Sequence, residues 1–407
     1  MKHFFYILIF NYSLLITNYS QWVVVSTQGN QAVNFPSNNT GYSTANGITR
    51  KTTNGGFNWS SLSGGNLTGI FFINDLTGWV VGYPGYIGKT TNGSSFTQQP
   101  TGIQDRLNDV FFINDNTGWI AGGDFGTEIM FKTTNSGTNW LPISSGLPNK
   151  MFSIYFIDEN TGWCVGGPSA PKVIKSTNGG LNWVLQSTPA TTPLYSVHFA
   201  DANTGWAVAG YLGGETIINT TNGGANWVSQ TSNDNRYLRE CFALNANTAF
   251  AVGQGGKLIK TTNGGANWLV HQTGSSVELW AIDFVNDTVG YAVGSTVVLK
   301  TTNGGVTFIN NISNEIPGEF ELYQNYPNPF NAMTIIKFEL PVGAARRVAL
   351  TVFDMNGNEI TVLLNKTLSA GEYDILFNAS DLATGVYFYS LTVGNTVITS
   401  RKMILIK

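Results

Sequence analysis

This sequence carries little charge. Only 11% of its 407 residues are charged, whereas about 25% is ordinary for soluble domains. The 21 basic and 24 acidic residues give a net charge of −3, and the sequence has no Lys/Arg run that could neutralise phosphates. The composition therefore excludes nucleic acid as a partner.

Cysteine and catalytic motifs are scarce as well. Cys164 and Cys241 are the two cysteines, too few for a disulfide framework or a four-ligand zinc site, and we expect both to be buried thiols. The sequence contains no G-x-S-x-G, H-E-x-x-H or C-x-x-C. His198 aligns with aromatic residues of neighbouring repeats, which predicts a packed imidazole. We therefore predict no cofactor, no metal site and no catalytic residue.

Long apolar runs are confined to the N-terminus. Lys2 and His3 precede an apolar stretch from Phe4 to Ile16, and no other segment approaches the roughly 20 apolar residues of a membrane-spanning helix. This arrangement is typical of a signal peptide. We predict that residues 1–20 are removed on export and that no transmembrane segment remains; an uncleaved anchor is the alternative.

Repetition, in contrast, is abundant. A unit of the type KTTNGGFNW occurs seven times at intervals of 38 to 44 residues, starting at Lys51, Lys89, Lys132, Lys175, Asn219, Lys260 and Lys300. A motif of the type NTGW and a short β-rich run precede each copy. Each period thus predicts three strands plus the segment after the unit, and the period is typical of a propeller blade. The predicted fold is all-β, with a seven-bladed β-propeller.

The repeated unit itself is predicted to be a tight hairpin turn. Asn54 and Gly56 suit positive φ, and Trp59 can bury a large area between sheets. A feature present in every blade indicates a folding requirement rather than a single site. The same structural role is expected of the equivalent tryptophans, Trp140, Trp183, Trp227 and Trp268.

Domain boundaries are set by where the repeats stop. The segment from Gln21 to Val25 resembles the residues just after a repeated turn, and we predict that it adds the outermost strand to blade 7 and covers a sheet edge. The propeller is expected over residues 21–312, a linker over 313–319, and a small C-terminal Ig-like β-sandwich of about seven strands over 320–407.

The last 85 residues contain YPNPFN, a V-x-D-x-x-G hairpin, LATGVYF and a terminal KMILIK. In this order the motifs resemble the type A C-terminal sorting domain of the type IX secretion system. The resemblance implies Sec export, transport across the outer membrane by the type IX machinery, and a secreted or cell-surface location. A plain adhesive Ig-like module is the alternative. The residues that would carry the sorting signal are Tyr326, Pro327, Asn328, Pro329, Gly385, Lys402 and Met403.

The repeats resemble the Asp box of the BNR-repeat families, and the whole propeller resembles the photosystem II stability/assembly factor family. That resemblance implies protein assembly rather than turnover, although nothing else in the chain suggests photosynthesis. Sialidases share the Asp box but need three converging arginines and an Arg-Ile-Pro segment. Residues 21–314 contain no such segment and four arginines, Arg50, Arg106, Arg236 and Arg239. Xyloglucanases with similar repeats need two propellers.

One position in the predicted first strands does not repeat. It lies four residues before an otherwise regular Phe and holds Gln31, Thr68, Asn108, Phe152, Tyr195, Arg239 and Trp280. We expect this position at the mouth of the ring, free of folding constraints. The function predicted is non-enzymatic binding of an extracellular protein or polysaccharide, with a glycoside hydrolase and a structural surface component as alternatives. The candidate ligand-binding residues are Arg106, Lys150, Phe152, Tyr195, Arg236, Tyr237, Arg239, Glu240 and Trp280.

Overall fold

β-Strands make up nearly all the regular structure in the computed structural model of this chain. The structure describes residues 22–45, 47–99, 102–124, 126–147, 149–168, 170–210, 215–271, 273–302, 304, 309–313, 317–331, 333–341, 346–379, 382–394 and 396–406. The predicted signal peptide lies outside these residues. Within them, the one helical element is a short 3₁₀ turn at Gln254–Gly256.

Seven four-stranded antiparallel sheets match the seven repeats. Strand β1 is Val23–Ser26. Blade 1 contains β2 (Ala32–Asn34), β3 (Gly41–Ala45), β4 (Ile48–Thr52) and β5 (Ser60–Gly64). Blade 2 contains β6 (Asn66–Phe72), β7 (Gly78–Tyr83), β8 (Tyr86–Thr90) and β9 (Thr97–Gln99). Blade 3 contains β10 (Leu107–Phe112), β11 (Gly118–Gly122), β12 (Ile129–Thr133) and β13 (Leu141–Ile143).

The remaining blades have the same plan, with the first strand innermost. Blade 4 contains β14 (Met151–Phe156), β15 (Gly162–Gly166), β16 (Lys172–Ser176) and β17 (Val184–Gln186). Blade 5 contains β18 (Leu194–Phe199), β19 (Gly205–Ala209), β20 (Thr216–Thr220) and β21 (Val228–Gln230). Blade 6 contains β22 (Leu238–Ala243), β23 (Ala249–Gly253), β24 (Leu258–Thr261) and β25 (Leu269–Val270). Blade 7 contains β26 (Leu279–Phe284), β27 (Gly290–Gly294) and β28 (Val297–Thr301).

The fourth strand of blade 7 comes from the N-terminus. β1 pairs antiparallel with β28, so that Val23 faces Lys300. The preceding Trp22 is fully buried and meets Phe250 and Phe284 edge-on, with ring centroids 6.3 and 5.7 Å apart. The predicted closing strand is therefore confirmed, and it covers the edge of β28 at the seam of the ring.

Adjacent blades are joined by stacked aromatic rings. In most blades an aromatic residue on the second strand lies against the Phe that ends the first strand of the next blade. The centroid separations are 3.4 to 3.6 Å for the pairs Tyr291/Phe35, Tyr42/Phe72, Trp79/Phe112, Trp119/Phe156 and Trp163/Phe199. Between blades 5 and 6 the Phe is replaced by Ala243, and Trp206 Nε1 instead donates to Gln230 Oε1 at 3.1 Å.

The repeated turns have the hairpin geometry that the sequence predicts. Gly56 has φ of +88°, and its N–H donates to Thr52 Oγ1 at 3.0 Å. Asn54 Oδ1 accepts the N–H of Asn58 at 3.0 Å, and Trp59 lies edge-on to Phe35. Similar ring contacts or burial are found at Trp140, Trp183, Trp227 and Trp268. These residues close and anchor each turn.

A β-sandwich comes after the propeller. One sheet has the order β29-β34-β31-β30 and the other β33-β32-β35-β36. A buried apolar core belongs to this domain. Its strands are β29 (Ile309–Ser313), β30 (Glu321–Leu322), β31 (Met333–Leu340), β32 (Arg346–Phe353), β33 (Glu359–Leu368), β34 (Gly371–Asn378), β35 (Gly385–Val393) and β36 (Thr396–Leu405).

The boundary between the two domains differs from the sequence-based expectation of 312 for the end of the propeller. Strand β29 pairs with β34 of the sandwich, placing Ile309 opposite Ile375. The reason is that β1 already supplies the fourth strand of blade 7, so the segment after the last repeated turn is free to join the next sheet.

The YPNPF segment holds the terminal strand in place. Asn328 Oδ1 accepts the N–H of Ile404 at 2.9 Å, and Phe330 N–H donates to the Ile404 carbonyl at 2.9 Å. Met403 of the same strand is fully buried, whereas Tyr326 is 78% exposed. The predicted sorting residues thus divide between the core and the surface. Pro327 and Pro329 lie in this segment, Gly385 begins β35, and the Lys402 carbonyl accepts Asn328 Nδ2 at 3.4 Å.

Candidate binding site at the mouth of the propeller

In blades 2 to 7 the pairing of the first and second strands is interrupted at the same place. In each case the register skips one residue, which is a β-bulge. Bulges re-aim a side chain and are common next to functional sites. The skipped residues are Thr68, Asn108, Phe152, Tyr195, Arg239 and Trp280. They are the non-repeating residues singled out by sequence, and the register of blade 1 has no such skip beside Gln31.

Several of the bulged residues meet in one continuous cluster. Phe152 and Tyr195 lie edge to face, with centroids 5.1 Å apart. The guanidinium carbon of Arg239 lies 5.6 Å from the ring centre of Tyr195, 4.9 Å from that of Tyr237 and 4.4 Å from that of Trp280. We call these five residues the aromatic arc. All five were candidates from sequence, and their side chains are partly buried.

Arg239 is held at the centre of the aromatic arc. Its Nε donates to Glu278 Oε1 at 2.7 Å, and both side chains of this ion pair are about one-fifth to one-quarter exposed. Burial raises the pKa of Tyr237, and its hydrogen bond to Glu278 raises it further. The arc is therefore a fixed surface rather than a set of independent side chains.

Arg106 and Lys150 occupy equivalent places in blades 3 and 4, two residues before the bulge. Arg106 lies over the Tyr83 ring at 5.9 Å, and the Lys150 ammonium lies over the Phe152 ring at 5.2 Å. Burial lowers the pKa of Lys150, and the charge of Arg106 lowers it further. We call Arg106 and Lys150 the cationic pair; through Phe152 it continues the aromatic arc.

Arg236 has a different role from the other candidates. Its guanidinium donates to both carboxylate oxygens of Asp234, and Nη1 donates to the Gly255 carbonyl at 3.0 Å. Beneath it, the fully buried Lys257 ammonium donates to the Arg236 carbonyl at 2.9 Å and to the Glu215 carboxylate. Arg236 therefore ties the segment between blades 5 and 6 to a loop of blade 6, and Lys257 links that loop to blade 5 through Glu215.

Sequence reasoning missed Glu215 and Lys257. They stand immediately before the third strands of adjacent blades. Opposite charges at this place in two neighbouring repeats were the available signal, because a buried lysine needs a carboxylate partner.

Glu240 is not brought to the aromatic arc. Its Oε2 accepts the N–H of Ile282 in the next blade at 2.7 Å, and burial raises its pKa to about 8. Asp109 and Asp283 act in the same way, accepting Ile154 N–H at 2.9 Å and Phe35 N–H at 2.6 Å. Because Glu240 comes directly after the bulged Arg239, it turns toward the adjacent blade instead of the mouth. The expectation that it lies in the binding surface is corrected accordingly.

His198 and the cysteines are packed as expected. His198 lies between Tyr155 and Phe242, with centroids 4.4 and 4.3 Å away, and its Nδ1 accepts the N–H of Ala243. Burial lowers its pKa to about 3. Cys164 and Cys241 are buried and unbridged.

Across the described ranges, no three His, Cys, Asp or Glu side chains are grouped to hold a metal ion. No helix there is long and apolar enough to cross a membrane.

The C-terminal domain can be assigned by comparison with known families. Residues 324–407 match the family model of the secretion system C-terminal sorting domain. The sandwich is a sorting domain. A domain of this kind indicates export by the type IX secretion system, and hence a secreted or cell-surface location. A comparison with curated protein sequences finds no match.

Solved structures resemble the propeller in fold. YCF48 bound to D1 peptide has a TM-score of 0.58 at 17% identity, over 70% of this chain and 96% of that chain. YCF48 from Cyanidioschyzon merolae has a TM-score of 0.57 at 15% identity, over 69% and 98%. An ancestral GH74 enzyme has a TM-score of 0.57 at 15% identity, over 94% of this chain but 63% of the enzyme. At these identities the likeness establishes the fold alone.

Proposed function

We propose that the propeller is a non-enzymatic binding module that the sorting domain carries out of the cell, and that its aromatic arc binds an extracellular protein. The observation that carries the proposal is the row of six bulges, which presents the non-repeating residues on one face. Residues rich in Trp, Tyr and Arg dominate the binding energy of protein interfaces. Tyr195, Arg239 and Trp280 have this chemistry.

A polypeptide ligand is compatible with this fold. One of the similar propellers, YCF48, was solved bound to a D1 peptide. Its identity to this chain is too low to transfer residues, so the proposal depends on the arc itself. A polysaccharide is the second candidate, because the partly exposed aromatic rings of Phe152 and Trp280 also suit the apolar faces of sugar rings.

Four of the carboxylates near the mouth are engaged in contacts that favour binding over hydrolysis. A glycoside hydrolase ordinarily needs two carboxyl groups free to act as acid and as base or nucleophile. Glu278 and Asp234 are each paired with an arginine. Glu240 and Asp109 each accept a backbone N–H of the next blade. These four carboxylates already form ion pairs with arginines or hydrogen bonds between blades, which supports a binding role.

The test uses the purified full-length protein in three assays: capture of surface proteins from the producing cells, a glycan array, and turnover of sialosides and plant glucans. We expect one specific protein partner and no turnover. Trp280→Ala and Tyr195→Ala should each weaken partner binding by about tenfold or more, as hot-spot truncations do. Phe57→Ala is the matched control, because Phe57 is 55% exposed in a repeated turn at the other end of the blade.

Two results would contradict the proposal. Glycoside turnover that disappears in Arg239→Ala would identify an enzyme. Partner binding that is equally strong in Trp280→Ala, Tyr195→Ala and Phe57→Ala would place the interface elsewhere.

A further inference from the structure

We propose that the cationic pair, Arg106 and Lys150, is a carboxylate-binding subsite that receives an acidic segment of the polypeptide partner. The inference rests on the proposed function, because it names the chemistry of the ligand at one end of the same surface. It commits to an acidic peptide, and an acidic polysaccharide is an outcome that the test below would expose.

The first observation is position. Arg106 and Lys150 precede the bulges of adjacent blades by the same two residues, so both lie on the mouth face. Their backbones are fixed, since the Arg106 carbonyl accepts Gly123 N–H at 2.8 Å and the Lys150 carbonyl accepts Gly167 N–H at 3.0 Å. Two like charges therefore stand at equivalent positions of neighbouring blades, on the same face of the ring.

The second observation is how these charges are held. Each lies over an aromatic face, which orients a cation without neutralising it. Neither forms an ion pair with any residue that the structure describes. By contrast, Arg236 is paired with Asp234 and Arg239 with Glu278. The cationic pair is therefore the part of the mouth where positive charge is not compensated by a direct partner.

The electrostatic consequence is a preference for an anion. Burial lowers the pKa of Lys150, the charge of Arg106 lowers it further, and the charge of Asp124 acts in the opposite direction. A bound carboxylate would relieve that repulsion and accept charge-assisted hydrogen bonds from both groups. Arginine is particularly suited to carboxylates because its planar fork can donate two parallel bonds.

The neighbouring residues indicate what should flank the acidic group. Phe152 touches both Lys150 and Tyr195, so it connects the cationic pair to the aromatic arc. An acidic residue bound by the pair would place the adjacent part of the same segment over Phe152 and Tyr195. The surface therefore fits a peptide in which Asp or Glu stands next to aromatic or aliphatic residues.

The test measures binding of poly-L-glutamate, poly-L-lysine and polygalacturonate to the full-length protein at low and high salt. We expect poly-L-glutamate to bind best and to weaken with salt. Arg106→Gln and Lys150→Gln should each lower the affinity for poly-L-glutamate by about tenfold, because losing one charge-assisted hydrogen bond weakens binding by roughly that factor. Arg347→Gln is the matched control, because Arg347 is an exposed cation of the sandwich that bonds to Asn365.

Each outcome decides the inference. Unchanged poly-L-glutamate affinity in the double variant overturns it, as does tighter binding of polygalacturonate than of poly-L-glutamate. Circular dichroism of the variants confirms that they fold, which is expected because both side chains are partly exposed. If the captured partner is lost in Trp280→Ala but kept in the double variant, the subsite is wrong and the proposed function stands. If the protein captures no partner, the proposed function fails, whatever the result with poly-L-glutamate.

Discussion

The two ends of each blade contrast with one another. At the turn face, where the third and fourth strands connect, the described turns use nearly the same hydrogen bonds: a Thr or Ser hydroxyl accepts a glycine N–H at 2.8 to 3.0 Å in blades 1 to 6. At the mouth face, the bulged residue differs in every blade from 2 to 7. One backbone plan thus tolerates free variation at one end and almost none at the other.

The difference arises from what each end contacts. At the turn face, Lys175 lies over the Trp163 ring and donates to the Gly223 carbonyl of the next blade at 2.9 Å. A change there disturbs two blades at once. A bulged residue at the mouth is left out of the strand pairing, so its side chain can change without breaking the sheet. Variation among repeats therefore marks the face where each blade makes its own contacts: Thr68 and Asn108 donate to carbonyls of the next blade, whereas Phe152, Tyr195, Arg239 and Trp280 contact one another's side chains.

The largest loss of stability is expected when the ring is opened. Deletion of residues 22–26 removes β1 and the fully buried Trp22. We expect a loss of about 4 kcal/mol or more in the free energy of unfolding, since truncating a buried Trp alone costs about 3 to 5 kcal/mol. Chemical denaturation measures it, with removal of residues 1–21 alone as the control. A deletion variant as stable as that control would contradict the closure role.

A paired substitution compares the ring stacks that repeat between blades with the residues at the mouth. Trp119→Ala removes a buried ring stacked on Phe156 and should cost about 3 to 5 kcal/mol. Trp280→Ala removes a partly exposed ring and should cost about 1 to 2 kcal/mol, while reducing partner binding. Denaturation midpoints and binding assays on the same proteins measure both effects. Equal losses of stability would mean that the mouth is as constrained as the blade interfaces.

A third substitution tests the buried ion pair between Lys257 and Glu215, which is a structural contact on the otherwise variable mouth face. Lys257→Met leaves the buried carboxylate of Glu215 without its cation and should destabilise the protein by about 3 to 5 kcal/mol. Adding Glu215→Gln should restore part of the loss, because the uncompensated charge is removed. Thermal unfolding of the single and double variants decides the matter. If the double variant is no more stable than the single one, the ion pair is not the cause.

The last prediction concerns pH. Glu240 has a folded pKa of about 8, above its ordinary value of 4.5. Its contribution to stability is therefore present at low pH and is lost as the pH rises from about 4.5 to 8. Glu240→Gln keeps an oxygen acceptor for Ile282 N–H and should flatten the fall in stability between pH 5 and 8. The exposed Glu319→Gln serves as the control, and equal slopes in both variants would refute the assignment.

Much of this architecture was predictable, because it repeats. Seven copies of one unit established the number of blades, and the resemblance of Trp22 and its neighbours to the segment after a turn predicted the seam. Four of the five arc residues were predictable because they occupy the one position of the first strands that does not repeat, and Tyr237 was predictable from the charged and aromatic residues in the adjoining loop. Glu240 was misplaced because sequence proximity to Arg239 does not reveal that a bulge sends consecutive side chains to different places.

By itself, the sequence determined the blade count, the closing strand and the candidate column, since repetition and periodicity are properties of the chain alone. The order of its C-terminal motifs indicated the sorting domain. Only the tertiary structure decided which charges are compensated. Arg236, Arg239 and Lys257 are matched by carboxylates, whereas Arg106 and Lys150 are held over aromatic rings. Ion pairing depends on distances of a few ångströms between loops of different blades, and no spacing along the chain encodes those distances.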